Sequence, residues 1–189
     1  ALALPGPGWT RRVQAGQQVR VVRRGAGAVP PGAALVQGDA SDAAFCTEAV
    51  RGAAAVYHCM NPPYSARAWG EYLPRFMDNL VAAAARHRAR LVVLDNVYML
   101  GRSGGRPLDE DSPVNPCSRK GEIRAQVAET LFAAHRRGDV LAISGRASDF
   151  YGPGAAGTHL GDPFWPAALA GKTTRVLFDP DAIHTYHYL

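Results

Sequence analysis

Short apolar runs rich in β-branched residues recur along the chain at 18–22, 34–37, 54–58, 91–95 and 140–144. Continuous apolar character over four or five residues, without strict alternation, marks strands buried on both faces, as in a parallel sheet. The segments between them carry a different period. Trp69, Leu73, Phe76, Met77, Leu80, Val81 and Ala84 recur every three or four positions, which predicts a long helix with one apolar face. Ile123, Val127, Leu131 and Phe132 predict a third helix over about 120–136, closed by Arg136 and Arg137 at the negative end of its dipole. An earlier helix is expected over 42–51, with Ser41 as its N-cap and Gly52 just beyond its end. Pro74 is expected to bend or start part of the long helix.

Strands alternating with helices read as βαβ units joined by right-handed crossovers, hence an α/β fold with a Rossmann-type doubly wound parallel sheet in one domain, 1–189. The pattern changes after Ser144. Glycines and Pro153 punctuate a loop, followed by a short helix near 162–170, a strand over 173–178 and an alternating segment at 183–189 that reads as a strand with an unpaired edge. From about 155 onward the chain is expected to begin a second, largely missing lobe.

Composition narrows the class without naming a function. The 189 residues are 47% hydrophobic and 20% charged, ordinary for a globular domain. No apolar run is long enough for a membrane helix, and residues 1–6 lack the flank and core of a signal peptide, so a cytoplasmic protein is expected. Cys46, Cys59 and Cys117 are odd in number and widely spaced, which argues against a disulfide framework or a zinc site. The six histidines form no ligand pattern, and His58, ending an apolar run, reads as a core histidine. The net charge of +5 is spread over scattered arginines, so nucleic-acid binding is not expected.

Two places suggest a dinucleotide. Residues 1–4 would form a first strand running into Gly6-Pro7-Gly8, where glycines let the backbone approach a pyrophosphate; a third glycine is missing, with Arg11 in its place. A plain proline–glycine turn fits these residues equally well. Only about a dozen residues separate this turn from the next strand, so its helix would have two turns at most. At the end of that next strand stand Arg23 and Arg24, where a carboxylate would bind a free ribose 2′-OH and an arginine a 2′-phosphate.

Further blocks carry a family resemblance: Gly38-Asp39-Ala40-Ser41-Asp42, Val56-Tyr57-His58-Cys59-Met60, Asn79, Leu91-Val92-Val93-Leu94-Asp95-Asn96-Val97-Tyr98, and Gly145-Arg146-Ala147-Ser148-Asp149-Phe150-Tyr151-Gly152-Pro153. In this order and spacing the chain resembles the extended short-chain dehydrogenase/reductases, the NAD(P)-dependent epimerase/dehydratase group. The resemblance implies that Asp39 and Ala40 lie beside an adenine, that Cys59, Met60 and Asn61 line the cofactor, and that Ala147 and Ser148 lie near the nicotinamide ribose. Asp39 and Asp42 would equally serve to cap the following helix.

The same resemblance exposes a departure. Such enzymes use a Ser or Thr after the fifth strand and a Tyr-x-x-x-Lys on the next helix, where the lysine eases proton exchange at the phenol. Lys120 fits the lysine, but Pro116 stands at the tyrosine position, and a shift that uses Cys117 leaves Gly121 at the lysine. Asn96 takes the serine position, and Tyr98 is the nearest substitute phenol. The expected catalytic set is therefore Asn96, Tyr98 and Lys120, with NADP as cofactor and NAD still open. The expected partner is a small-molecule substrate, without nucleic acid or membrane; a homodimer is compatible with the sequence. Hydride transfer at a carbinol or carbonyl carbon is the implied chemistry. A non-catalytic dinucleotide-binding or regulatory protein and a degraded, incomplete gene product are the alternatives.

Overall fold

Parallel pairing of the valine-rich runs builds the frame that positions the site. The computed structural model describes residues 7–152, 155, 157–161, 164–176, 179 and 181–188, those at 7–10 by their backbone. Strand β1 (Val19–Arg23) pairs in parallel with β2 (Ala33–Gln37), Val21 opposite Leu35. Strands β3 (Ala55–His58), β4 (Arg90–Asp95) and β5 (Ala142–Arg146) form a second parallel set in that order, with Leu91 opposite both Val56 and Ala142. The expected first strand, 1–4, lies outside the described residues.

Parallel neighbours need crossover connections; helices supply them between β3, β4 and β5, whereas β1 and β2 are joined by residues 24–32 without a helix. A two-turn helix α1 (Pro7–Gln14) precedes β1, α2 (Ala43–Val50) follows β2, α3 (Ala66–His87) joins β3 to β4, and α4 (Arg119–Arg136) joins β4 to β5. Helix α2 is capped by Asp42 rather than by Ser41. The Asp42 Oδ1 accepts from the N–H groups of Ala44 and Phe45 at 2.8 and 3.1 Å, while the N–H of Ser41 is taken by Asp39 Oδ1 at 2.8 Å, which makes Ser41 a turn residue. Helix α3 runs unbroken through Pro74, which neither starts nor ends it. Burial of Trp69, Leu73, Phe76, Met77 and Leu80 along one face offsets the backbone bond that the proline removes.

The core lies between α2, α3 and α4 and one face of β3–β5, where Trp69, Leu73, Met77, Leu91 and Leu131 are almost fully buried. On the opposite face Arg12 of α1 stacks over Tyr57, its guanidinium 4.5 Å from the ring centre. Helices α2 to α4 cover one face of β3–β5, and α1 reaches the other at Tyr57, where Leu94, Leu141 and Ile143 stay exposed among the described residues; parallel strands with packed helices make the Rossmann-type fold.

Beyond β5 two expectations need correction. Residues 173–176, expected as part of a strand, have no regular structure, and 177 and 178 lie outside the described residues. The stretch after β5, expected as a loop, contains β6 (Asp149–Tyr151), and the alternating segment near the end is the expected strand, β7 (Tyr186–Tyr188), parallel to β6 on one side with Asp149 opposite Tyr186. Aromatic packing accounts for the pairing, because Tyr151 contacts both Tyr186 and Tyr188 edge-on. The expected short helix is α5 (Phe164–Leu169).

Candidate functional site

Open α/β sheets bind ligands beyond the carboxyl ends of their strands. Here the ends of β1, β2 and β3 surround a cleft lined by Arg23, Arg24, Asp39, Ala40, Met60 and Asn61, with Tyr72 and Phe76 of α3 as its apolar wall. Six residues assigned from sequence to cofactor binding thus come together although they are spread over 39 positions of chain. The turn holding Asp39 and Ala40 is fixed from below: Asn79 Nδ2 donates to the Ala40 carbonyl at 2.9 Å, and so does the Cys46 thiol at 3.3 Å. The Ser41 N–H holds the Asp39 carboxyl below its ordinary range against partial burial, with help from the charges of Arg24 and Arg75. The Arg24 guanidinium approaches Asp39 to 4.0 Å. Arg23 folds back to donate to the Ala28 carbonyl at 3.4 Å.

A second cluster forms where β4 ends. The strand stops at Asp95, because the Asn96 side chain accepts from the Tyr98 N–H at 3.0 Å and turns the chain into a short 3-10 turn, Tyr98–Leu100. The extended conformation needed to point Asn96 and Tyr98 the same way therefore does not persist. Tyr98 instead packs over Trp69, with ring centres 5.9 Å apart, and its hydroxyl lies 2.8 Å from that of Tyr64. The ammonium of Lys120, in the first turn of α4, stands 3.2 Å from the Tyr64 ring centre and 5.9 Å from that of Tyr98. Gly121 permits this approach: a Cβ there would come within 2.6 Å of the Tyr98 carbonyl oxygen.

The two phenols differ in acidity. Burial, together with the hydrogen bond to Tyr64 and the charges of Tyr64 and Asp149, raises Tyr98 well above its ordinary value. Partial burial also opposes ionisation of Tyr64, but the Lys120 ammonium and the Tyr98 hydroxyl outweigh it and lower that phenol.

Between the two clusters lies a buried ionic link. Arg124 of α4 donates through Nη1 to Asp95 at 3.1 Å and through Nη2 to the Asn61 side-chain oxygen at 2.8 Å, and its guanidinium covers Trp69 at 4.5 Å. Burial works against both charges, raising Asp95 and lowering Arg124, while each partner supports the other. The link joins the cleft, through Asn61, to the end of β4.

The remaining assignments are dispersed. Gly6 lies outside the described residues, and Gly8 belongs to helix α1 rather than to a turn. Cys59 is exposed at the end of β3 and does not line the cleft. The Ala147 N–H is bonded to the Asp95 carbonyl at 3.0 Å, and the Ser148 hydroxyl donates to the Thr185 carbonyl, so both serve the joint between β5, β6 and β7. Tyr64 and Arg124 escaped notice in the sequence. The signal for Tyr64 was its place just after Asn61-Pro62-Pro63, on the ligand side of β3; for Arg124 it was a charge on the apolar stripe of Ile123, Val127 and Leu131. Among the described residues no group of three or more His, Cys, Asp or Glu could hold a metal ion, and no helix is long and apolar enough to cross a membrane.

The sequence model of the NAD dependent epimerase/dehydratase family matches residues 8–179. No curated protein matches the chain. Among solved structures, the double mutant of the dTDP-glucose 4,6-dehydratase DesIV from Streptomyces venezuelae, with NAD and DAU bound, aligns with a TM-score of 0.69 at 22% identity over 79% of this chain and 54% of that one. WbmG from Bordetella bronchiseptica, in complex with NAD and UDP, aligns at 0.70 and 20% identity over 87% of this chain and 56% of that one. A UDP-glucose 4-epimerase from Brucella ovis, in complex with NAD, gives 0.65 and 15% over 75% and 47%. This chain thus spans about half the length of the solved structures it resembles.

Proposed function

Because the chain belongs to the NAD dependent epimerase/dehydratase family, we propose that it binds a nicotinamide dinucleotide in the cleft beyond β1–β3. It would use the dinucleotide for oxidoreduction, or for oxidation-dependent epimerisation or dehydration, at a carbinol or carbonyl carbon of a small substrate. The observation that carries this reading is the donor set of the cleft: two guanidinium groups, a carboxylate and an amide beside an apolar wall. Guanidinium suits phosphate, carboxylate and amide suit ribose hydroxyls, and the wall suits a flat base. NADP is favoured over NAD, because two guanidinium groups, Arg23 and Arg24, line the cleft at the end of β1 and would suit a 2′-phosphate. A bound nicotinamide supplies or accepts the hydride.

This chain's own residues do the rest. Asn96, next to Asp95 at the end of β4, offers an amide to the substrate oxygen, Lys120 a positive charge, and the Tyr64–Tyr98 pair a phenolic proton. The nucleotide sugars named for the similar structures are the first substrates to try, and a homodimer and a cytoplasmic location belong to the same proposal. Calorimetric titration tests the first step. Saturable binding of NADPH or NADH, weakened by Arg23→Ala with Arg24→Ala, is expected; a folded chain that binds neither overturns the reading. The second reading, a non-catalytic dinucleotide-binding protein, is favoured by Pro116 and Cys117 where the family places its tyrosine. Retained binding, with no oxidation or reduction of UDP- or dTDP-glucose under any condition, would select it.

A further inference from the structure

Resting on the reading just given, the geometry points to Tyr64, not Tyr98, as the acid–base group of this site, with Lys120 and Tyr98 as the residues that position it. Tyr64 precedes the Ser65 cap of α3 and leads out of the end of β3, on the ligand side of the strands. Tyr64 is 64% exposed, so the residue is open to solvent rather than sealed in the core. Tyr98 is committed elsewhere: its ring is packed on Trp69 and its hydroxyl is turned to Tyr64 at 2.8 Å.

Every element packed around Tyr64 contributes a group. Helix α4 brings the Lys120 ammonium against the ring at 3.2 Å, the 3-10 turn brings the Tyr98 hydroxyl, α3 brings the Trp69 ring edge-on at 5.5 Å, and β6 brings the more distant negative charge of Asp149. The cation and the donated hydroxyl favour the phenolate, while Asp149 and partial burial oppose it; the balance lies with the cation, and Tyr64 is the more acidic phenol of the pair. The roles of the family's Tyr-x-x-x-Lys are thereby distributed over two segments, the phenol after β3 and the ammonium on α4.

The proton arithmetic is simple. A bound nicotinamide would supply the hydride to a substrate carbonyl carbon; as the C=O π electrons moved to oxygen, the O–H bond of Tyr64 would break to give that oxygen its proton. The negative charge left on Tyr64 lies against Lys120 and accepts the Tyr98 hydroxyl until solvent returns a proton. Oxidation runs the same steps backwards.

The test reads the phenol directly, without turnover. Tyrosinate absorbance of the ligand-free protein should show one of the seven tyrosines ionising below the ordinary value near ~10. Tyr64→Phe should abolish that early step. Lys120→Met should move it up by about one unit or more, and Tyr98→Phe should move it up by less. Circular dichroism of each variant confirms that the fold is kept. An early step that survives in Tyr64→Phe, or the absence of any early step, overturns the assignment. Dinucleotide titration of the same preparations separates the two levels: binding with an ordinary Tyr64 sinks this inference alone, whereas no binding sinks the functional reading and this inference with it.

Discussion

The guanidinium of Arg124 and the carboxylate of Asp95 face each other at 3.1 Å with side chains only 6% and 4% exposed. Removing one charge strands the other in a low dielectric, which typically costs about 3–5 kcal/mol, whereas removing both restores most of the loss. Urea unfolding of Arg124→Met, Asp95→Leu and the double variant is therefore expected to show two strongly destabilised single variants and a double variant far better than their sum. Additive losses would show that the pair is not coupled.

Arg124 also fixes Asn61 in the cleft. Arg124→Met should weaken dinucleotide affinity by roughly tenfold even where the protein stays folded at low temperature, because a lost hydrogen bond to a charged group is worth about 1.5–3 kcal/mol and Asn61 is then free to rotate. Titration of the folded fraction checks this; unchanged affinity would remove Asn61 from the binding set.

His58 links stability to pH. It is 3% exposed, its Nδ1 accepts the Met60 N–H at 3.3 Å, and burial, with the nearby Arg124 charge, lowers its pKa from the ordinary 6.5 to about 4. The unfolded chain takes up a proton near 6.5 while the folded chain refuses it until about 4, so stability is full above pH 6.5 and declines as pH falls towards 4. The drop from this group is about 3 kcal/mol. His58→Asn keeps an acceptor without the titration. The difference between denaturation midpoints at pH 7 and pH 4.5 should be smaller in the variant than in the wild type, and equal differences count against the linkage.

Gly121 sets the distance between α4 and the 3-10 turn. Ala at this position drives a methyl group to 2.6 Å from the Tyr98 carbonyl oxygen, so the backbone must shift. We expect a loss of about 1–3 kcal/mol and, because Lys120 moves with the helix, a rise in the Tyr64 phenol pKa. A tyrosinate titration identical to wild type would mean that the shift is absorbed elsewhere.

Cofactor choice rests on Arg23 and Arg24. NADPH should bind more tightly than NADH, and the double alanine variant should narrow the preference by roughly tenfold or more, the worth of a charged hydrogen bond to phosphate. Tighter NADH binding in the wild type would reverse the assignment; the 4.0 Å approach of Arg24 to Asp39 is the feature that would explain it.

What the sequence determined by itself was whatever depends on neighbours along the chain. Periodicity located β1 to β5, β7 and the helices α2 to α4, since burial of one helical face or of a whole strand imprints a fixed spacing on apolar residues, whereas β6 lay in a stretch read as a loop. A strand-end position pointed to Arg23 and Arg24, whereas Asp39, Ala40, Met60 and Asn61 were assigned to the cofactor through the family resemblance of their blocks rather than through spacing. Competition between local hydrogen bonds decided the finer points. Ser41 looked like a cap until Asp39 took its N–H, and Pro74 looked like a break until the buried face of α3 held the helix together. Only tertiary structure decided the chemistry of the second cluster. Tyr64 lies 34 positions before Tyr98 and 56 before Lys120, and nothing local to any of the three encodes the packing of α3 against α4 that brings them together. A phenol's acidity depends on which charge sits within a few ångströms of its oxygen, and that distance is set by the glycine contact between α4 and the Tyr98 turn rather than by spacing along the chain.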